Sequence, residues 1–404
     1  MPGVTSTSIV TVNASTPTHD PQYVLLNIFY FKINISNICI PMLYKGFSNS
    51  RKSFSLFKSF NLFVDLSIMA DAQINIIRCS DFEEINNTFP TGRKIVVIID
   101  SAIRDLYGKY FKYPQIVINA SEQEKSFTGI EKITQQLLTL EADRGTFIVA
   151  IGGGTLTDLA GFVSSIFMRG VDFALVPTTL LAQVDAAIGG KTAINFEGFK
   201  NILGVIKQPE FTIISPVFLN SLSPKEIREG VAEMLKTFLL RDKVSFNLCR
   251  SIFKKSGVTV ESLGDLPFKT AAIKASIVEK DPFEKGDRIL LNLGHTFAHA
   301  LEKLTGMSHG EAVGTGVVLA SKLSVKLGLL SKKDCDYISE TFVNAGLPVD
   351  SPVPPATLAE YMKKDKKRDN RTIRFVLLQG IGSPVVYNIG IESLEGTIDG
   401  IDKY

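Results

Sequence analysis

The sequence predicts an α/β domain of nucleotide-binding type followed by a helical domain. Three observations carry this. Between residues 94 and 176, buried-type strands alternate with helices. A Gly152-Gly153-Gly154 turn joins one such strand directly to a helix. After about residue 221 the strand pattern nearly stops, and segments with helical apolar spacing follow one another.

Each element has a local reason. Residues 94–100 (KIVVIID) and 147–151 (FIVAI) are short β-branched apolar runs, the pattern of strands buried on both faces. Residues 129–142 and 156–167 carry apolar residues at helical spacing, and 171–176 is a third strand closed by Pro177. Strands alternating with helices imply a parallel sheet covered on both sides. Beyond residue 221, helices are expected at 224–240, 268–280, 295–305, 311–327, 333–345 and 357–364. The first has a clear start: Ser223 as cap, Pro224 at the first helical position and Glu226 to complete a capping box. Only 373–378 reads as a further strand.

The first 68 residues are a different kind of sequence. They are rich in Ser, Thr, Asn and Phe and hold five lysines and arginines against two aspartates, so the whole net charge of +3 sits there. Residues 23–44 are mostly apolar, but Lys32, four Asn or Ser positions and Pro41 make a poor membrane span. No Lys or Arg precedes them, as a signal peptide would require. The reading is a leader at 1–68 outside the fold, with translation starting at Met69; a targeting or anchoring role is the alternative. The expected division is then 69–221 for the α/β domain and 222–404 for the helical one.

Composition bounds the function. Of 404 residues, 45% are hydrophobic and 21% charged, which is globular and excludes disordered, collagenous and coiled-coil classes. A net charge of +3 is too small to argue for nucleic acid. Cys39, Cys79, Cys249 and Cys335 show no paired spacing, so neither a disulfide framework nor a CxxC metal site is present, and a reducing, cytoplasmic setting is expected.

Two constellations carry chemistry. Glycines between a strand and a helix let phosphate approach the backbone N–H groups at the positive end of the helix dipole. The dinucleotide pattern is incomplete, since Thr157 stands at the third glycine position. Three of the four histidines, His295, His299 and His309, fall within fifteen residues, with Glu311 close by. His295 and His299 are spaced i, i+4, as metal ligands on one helix face are, and the set suits Zn²⁺ or a similar ion. Spacing alone leaves open which of them bind. Gly189-Gly190-Lys191-Thr192 looks like the end of a phosphate loop, but Asp185 occupies the upstream glycine position, so a P-loop is excluded.

From about residue 74 to the C-terminus the chain resembles the 3-dehydroquinate synthase family, and more broadly the sugar-phosphate cyclases. The motifs are GGGTLTDLAGF at 152–162, MRG at 168–170, VPTTLLAQVDAAIGGKTAIN at 176–195, KN at 200–201, EGVAEMLK at 229–236, LNLGHTFAHALE at 291–302, HGEAV at 309–313 and DKK at 365–367. The resemblance implies an N-terminal Rossmann-like NAD-binding domain and an all-helical metal-binding domain. It implies Glu233, His295 and His309 as ligands of one Zn²⁺ or Co²⁺, with His299 beside the site. It implies an NAD site at Asp100, Ala120, Ser121, Glu122, Gln123, Glu124, Lys125, Gly153, Gly154, Thr155, Leu156, Thr157, Asp158, Thr178, Thr179, Lys191, Lys200, Phe218, Leu219, Asn220 and Ser221. It implies a substrate pocket at Arg169, Asp185, Lys191, Asn201, Lys236, Lys274, Arg288, Asn292 and His299, with Lys366 or Lys367.

Three positions depart from the family pattern: Thr157 and Ala298 where Gly is common, and Pro282 where an acidic residue often stands. None removes a polar group the chemistry needs. The implied reaction takes 3-deoxy-D-arabino-heptulosonate 7-phosphate to 3-dehydroquinate and phosphate. NAD oxidises a ring hydroxyl, phosphate leaves by β-elimination, the hydride returns, and an intramolecular aldol step closes the carbocycle. The sibling enzymes that make 2-deoxy-scyllo-inosose or valiolone are the alternative. A homodimer is implied, and neither a nucleic acid nor, for 69–404, a membrane is expected as partner.

Overall fold

The computed structural model describes residues 74–366 and 371–404. The expectations for the leader at 1–68, and for the side chain of Lys366 or Lys367, lie outside the described part.

The chain opens with β1 (Ile76–Arg78), α1 (Phe82–Thr88), β2 (Ile95–Asp100), α2 (Ser101–Tyr107), β3 (Gln115–Ile118), α3 (Phe127–Thr139), β4 (Phe147–Gly152), α4 (Gly154–Ile166) and β5 (Phe173–Pro177). A hairpin, β6 (Lys191–Phe196) and β7 (Phe199–Ile206), precedes β8 (Phe211–Ile214). Six strands form one parallel sheet in the order β1-β8-β5-β4-β2-β3. The β-branched runs are buried on both faces, as their composition requires. Ile148 and Ala150 of β4 pack with Ile133, Leu137, Leu159 and Val163 on one side, while Phe147, Val149 and Ile151 meet Ile85, Ile103, Phe111 and Phe218 on the other.

The order of strands sets where a ligand can sit. The chain leaves β2 for β3 on one side and returns as β4 on the other, so the segments after β2 and β4 diverge. A crevice opens outside their carboxyl ends, the usual ligand position of an open parallel sheet. Asp100 ends β2, and the Gly152-Gly153-Gly154 turn ends β4.

The second half holds α5 (Pro224–Arg241), α6 (Lys243–Ser256), α7 (Val260–Leu263), α8 (Leu266–Lys280), α9 (His295–Thr305), α10 (His309–Lys326), α11 (Lys332–Asn344) and α12 (Pro355–Lys366), then β9 (Thr372–Gly380), β10 (Ser383–Gly390) and α13 (Leu394–Ile398). Leu235, Phe238, Phe297, Val313 and Val317 centre its core, and Leu180, Val184 and Ile214 join the same buried cluster. This half is not all-helical. The strand expected at 373–378 is β9, and it pairs antiparallel with β10, turning Ile373, Phe375 and Leu377 inward. The hairpin β6–β7 is not among the expected elements: its second strand, FKNILGVI, lacks the apolar–polar alternation by which a strand is recognised, and it is exposed over nearly its whole length. Among the described residues no helix is long and apolar enough to cross a membrane.

Candidate metal centre and substrate cleft

α5 starts as its sequence specifies. Ser223 accepts from the Glu226 amide, and Glu226 Oε2 accepts from the Ser223 amide at 2.8 Å. From Gly230 through Leu240 the helix is buried, which brings the Glu233 carboxylate to full burial. A carboxylate in that position needs cationic or donor partners. Lys236, one turn on and itself buried, closes on Oε2 as an ion pair. His309 Nε2 lies 3.2 Å and His295 Nε2 3.5 Å from Oε1.

Both histidines are first residues of helices. His295 opens α9 after Gly294, whose φ of +79° a side chain would strain. His309 opens α10, where Ser308 and Glu311 form a capping box. That box occupies Glu311, so the carboxylate near the histidine cluster caps a helix and is not a ligand. The other ring nitrogens are also engaged. His309 Nδ1 meets Glu302 Oε1 at 3.0 Å, and His295 Nδ1 lies 3.3 Å from the Leu293 carbonyl. Both Nε2 atoms are thereby turned to the same point, the orienting arrangement usual behind metal-binding histidines.

The three donor atoms lie within 4.8 Å of one another. A tetrahedron with bonds of about 2.1 Å has ligand–ligand edges of about 3.4 Å. The observed 3.2 and 3.5 Å match, so one carboxylate and two imidazoles fit a divalent ion with a position left for substrate. His299 is outside this set: its ring stands edge-on to that of His295, but its nitrogens are not among the three converging donors. The i, i+4 pair therefore supplies one donor of the triad and one neighbour.

The electrostatics agree. Burial disfavours the charge on Glu233, but Lys236, His309 and His295 hold it well below the usual carboxylate range. Burial and then the Lys236 charge push His295 down to about 4. Burial works the same way on His309, yet Glu233 and Glu302 outweigh it and push His309 up to about 10. Without metal, the His309 proton supplies the positive charge between two carboxylates.

Beside the triad lies a cleft of about 580 Å³, lined by Asp158, Asp185, Lys191, Asn201, Lys236, Lys274, Arg288, Asn292 and His295 among others. Asp185 sits on a π-helical turn, Ala182–Ala186, where it accepts from Lys274 Nζ at 2.7 Å with Lys236 Nζ 4.0 Å away. Burial pulls Lys274 below the ordinary lysine range, against the pull of Asp185. Arg288 is 3% exposed and donates to the Pro282 and Gly189 carbonyls at 2.8 and 3.2 Å. Glu284 pairs with Lys191 and accepts from Asn292 at 2.8 Å. A second cleft, of about 670 Å³, shares Glu284, Asn292 and His295 with the first and is lined further by His299.

Arg169 is the expected pocket residue that the structure leaves apart. It is exposed at the end of a short turn, with φ +70°, and lines neither cleft.

The expected cofactor residues gather at the carboxyl edge of the sheet. α4 has Gly153 in its N-terminal cap position and so no side-chain cap, leaving its first N–H groups for an anion. Thr178 Oγ1 is buried without a hydrogen-bond partner, an atom that a ligand there would satisfy. Glu122 accepts from Thr155 and Asn195, and Lys125 bridges Asp158 at 2.6 Å and Asn201 at 2.5 Å. Thr157 turns its hydroxyl back on the Gly154 carbonyl, so the missing third glycine leaves no buried polar group unpaired. Leu156, Phe218 and Leu219 differ: their side chains are core residues, and only their backbone remains for a ligand. Asp100 caps α2 through Ala102.

Comparison with known proteins decides the family. Residues 115–229 match 3-dehydroquinate synthase N-terminal, and 230–368 match 3-dehydroquinate synthase C-terminal. The 3-dehydroquinate synthase of Campylobacter fetus subsp. fetus (strain 82-40) is 39% identical over 306 residues, 73% of this chain and 88% of that protein. The chain belongs to the 3-dehydroquinate synthase family. The enzyme of that name from Legionella pneumophila (strain Corby) is 40% identical over 338 residues, 79% of this chain and 91% of that one. Among solved structures, the 2-epi-5-epi-valiolone synthase of Streptomyces hygroscopicus subsp. jinggangensis 5008, with NAD+ and Zn2+ bound, superposes with TM-score 0.73 at 25% identity, covering 82% of this chain and 97% of its own. A 2-deoxy-scyllo-inosose synthase complexed with carbaglucose-6-phosphate, NAD+ and Co2+ has the same fold, with TM-score 0.72 at 24% identity over 81% and 97%.

No sequence pattern singles out Glu284, and Glu302 enters only as the last residue of the 291–302 motif, with no role attached to it. Each is an ordinary exposed-type residue by position, and each matters only through a partner brought to it by packing.

Proposed function

We propose that this chain converts 3-deoxy-D-arabino-heptulosonate 7-phosphate to 3-dehydroquinate and phosphate, using NAD catalytically and one Zn²⁺ or Co²⁺ held by Glu233, His295 and His309. The observation that carries this is the convergence of those three donors beside a cleft that His295 lines together with the buried cations Lys236, Lys274 and Arg288, in a chain of this family. The metal supplies Lewis-acid polarisation of ring hydroxyls, and the dinucleotide supplies reversible hydride transfer.

The protein's own groups bind and orient. Arg288, fixed by two backbone carbonyls, and Lys274, fixed by Asp185, are set to hold the substrate carboxylate without moving. Lys236 sits between Glu233 and Asp185; burial opposes its charge, but those carboxylates raise it above the ordinary lysine range, so it donates to a ring hydroxyl and does not act as a base. Lys191, Asn201, Asn292 and His299 are the groups for the phosphate. The leaving dianion can take the proton itself, so no single protein base is demanded. Two domains divided near residue 221, a cytoplasmic location and a homodimer belong to the same reading.

The test is phosphate release from that sugar phosphate with sub-stoichiometric NAD⁺ and Zn²⁺. Many phosphates per NAD, with dehydroquinate formed, support the reading. A folded, metal-loaded protein that instead turns over the sugar phosphates of the sibling cyclases refutes it.

A further inference from the structure

We propose that the second cleft is part of the substrate site and that Arg374, on the β9–β10 ribbon, binds the phosphoryl group there. This assignment rests on the sugar-phosphate reading above and adds a binding residue to it. The cleft is about 670 Å³, the size of a small-ligand site, and it adjoins the metal centre, since His295 and Asn292 line both clefts. The second cleft thus shares a wall residue with the triad, which places it beside a substrate held there.

The two walls are built for polar recognition. α9 contributes His299, one turn beyond His295. Opposite stands the ribbon. Strand alternation buries Ile373, Phe375 and Leu377 in the core and leaves Thr372 and Arg374 on the cleft side. Asn388 pairs directly with Arg374 across the ribbon, so both side chains share that face. The Thr296 hydroxyl donates to the Arg374 carbonyl at 3.2 Å and ties the strand to α9.

What singles out Arg374 is its lack of a partner. Neither its guanidinium nor the Asn388 amide makes a hydrogen bond or ion pair with another described residue. The carboxylate on the shared rim, Glu284, is taken by Lys191 and Asn292. A free planar fork facing an imidazole across a cleft suits a tetrahedral oxyanion. The phosphoryl group fits better than the carboxylate for a physical reason. Lys274 and Arg288 are buried and anchored, suited to a group that stays through the reaction, whereas Arg374 is exposed, suited to a group that is released to solvent.

The experiment uses the full metal-loaded chain with R374A, R374Q and R374K. It measures KM and kcat for the sugar phosphate, the affinity for inorganic phosphate by calorimetry, metal content and thermal unfolding. R374A and R374Q are expected to raise KM and weaken phosphate binding by about tenfold or more, with kcat changed less and metal content and unfolding unaltered. R374K should recover part of the loss. Wild-type KM and phosphate affinity in R374A overturn the proposal, and so does a loss that tracks metal release in both neutral variants. A wild-type protein inert toward the sugar phosphate refutes the reaction instead. The phosphate titration then still decides whether Arg374 binds the anion.

Discussion

Helix α9 has a left-handed glycine at each end, Gly294 at φ +79° and Gly306 at φ +71°. Their surroundings differ. A Cβ on Gly306 meets nothing within 4 Å, whereas one on Gly294 lands 2.6 Å from the Val317 amide nitrogen and 2.9 Å from the Gly316 carbonyl carbon. Gly306→Ala thus carries backbone strain alone, about 1–2 kcal/mol. Gly294→Ala carries the same strain plus an overlap with the α10 main chain that no rotamer relieves, adding about 1–3 kcal/mol. Because His295 is the next residue and metal–ligand bonds tolerate only about 0.2 Å, shifting this end of α9 should cost at least about tenfold in Zn²⁺ affinity. Gly294→Asn separates the two effects, since Asn accepts left-handed backbone but keeps the overlap. Urea midpoints and competition with a chromophoric chelator read both quantities. Two alanine variants of equal stability, both binding Zn²⁺ like wild type, would falsify the claim that this close approach places His295.

Other outcomes follow from the same geometry. His295→Ala should fold, lose metal and lose nearly all turnover; a metal-free His295→Ala protein with full activity would remove the metal assignment. Glu302→Gln should weaken metal binding about 10–100-fold by loosening the His309 ring, while steady metal affinity would make Glu302 a bystander. In metal-free protein, the raised His309 pKa stabilises the fold below pH 6.5, and that contribution is lost as pH rises toward about 10. His295 acts in the acid window: the unfolded chain takes its proton near pH 6.5 and the folded site refuses it down to about 4, so acid also destabilises. Urea midpoints of chelated protein should fall on both sides, and a flat profile from pH 4 to 10 would contradict the assigned partners. Finally, Lys274→Met should cost about 3 kcal/mol by stranding Asp185, and adding Asp185→Asn should return much of that stability without returning turnover. Equal stability of single and double variants would argue against a coupled pair.

Sequence was most informative where the physics is local. The capping box at Ser223 and Glu226, the buried runs that became β2 and β4, and the glycine turn that opens α4 each depend on neighbours a few residues away. Expected and observed bounds of α9 coincide at 295–305 for the same reason. The donor triad was half legible. Helical spacing pointed to His295 with His299, but a helix face says only that two side chains are near each other, not what third group faces them. Glu233 came from resemblance, since it lies on another helix, 62 residues before His295.

The residue set and its local stretches are thus the sequence's own contribution. Which donors converge was decided by how α5, α9 and α10 pack. The Gly294 approach to α10 sets the position of His295, the capping box takes Glu311 out of contention, and Glu302 turns the His309 ring. The cleft wall at Arg374 likewise exists only once β10 pairs with β9 and the ribbon is held to α9 by Thr296. Contacts between distant elements carry no period along the chain. Burial and close packing choose among the side chains that local structure has already placed on each face.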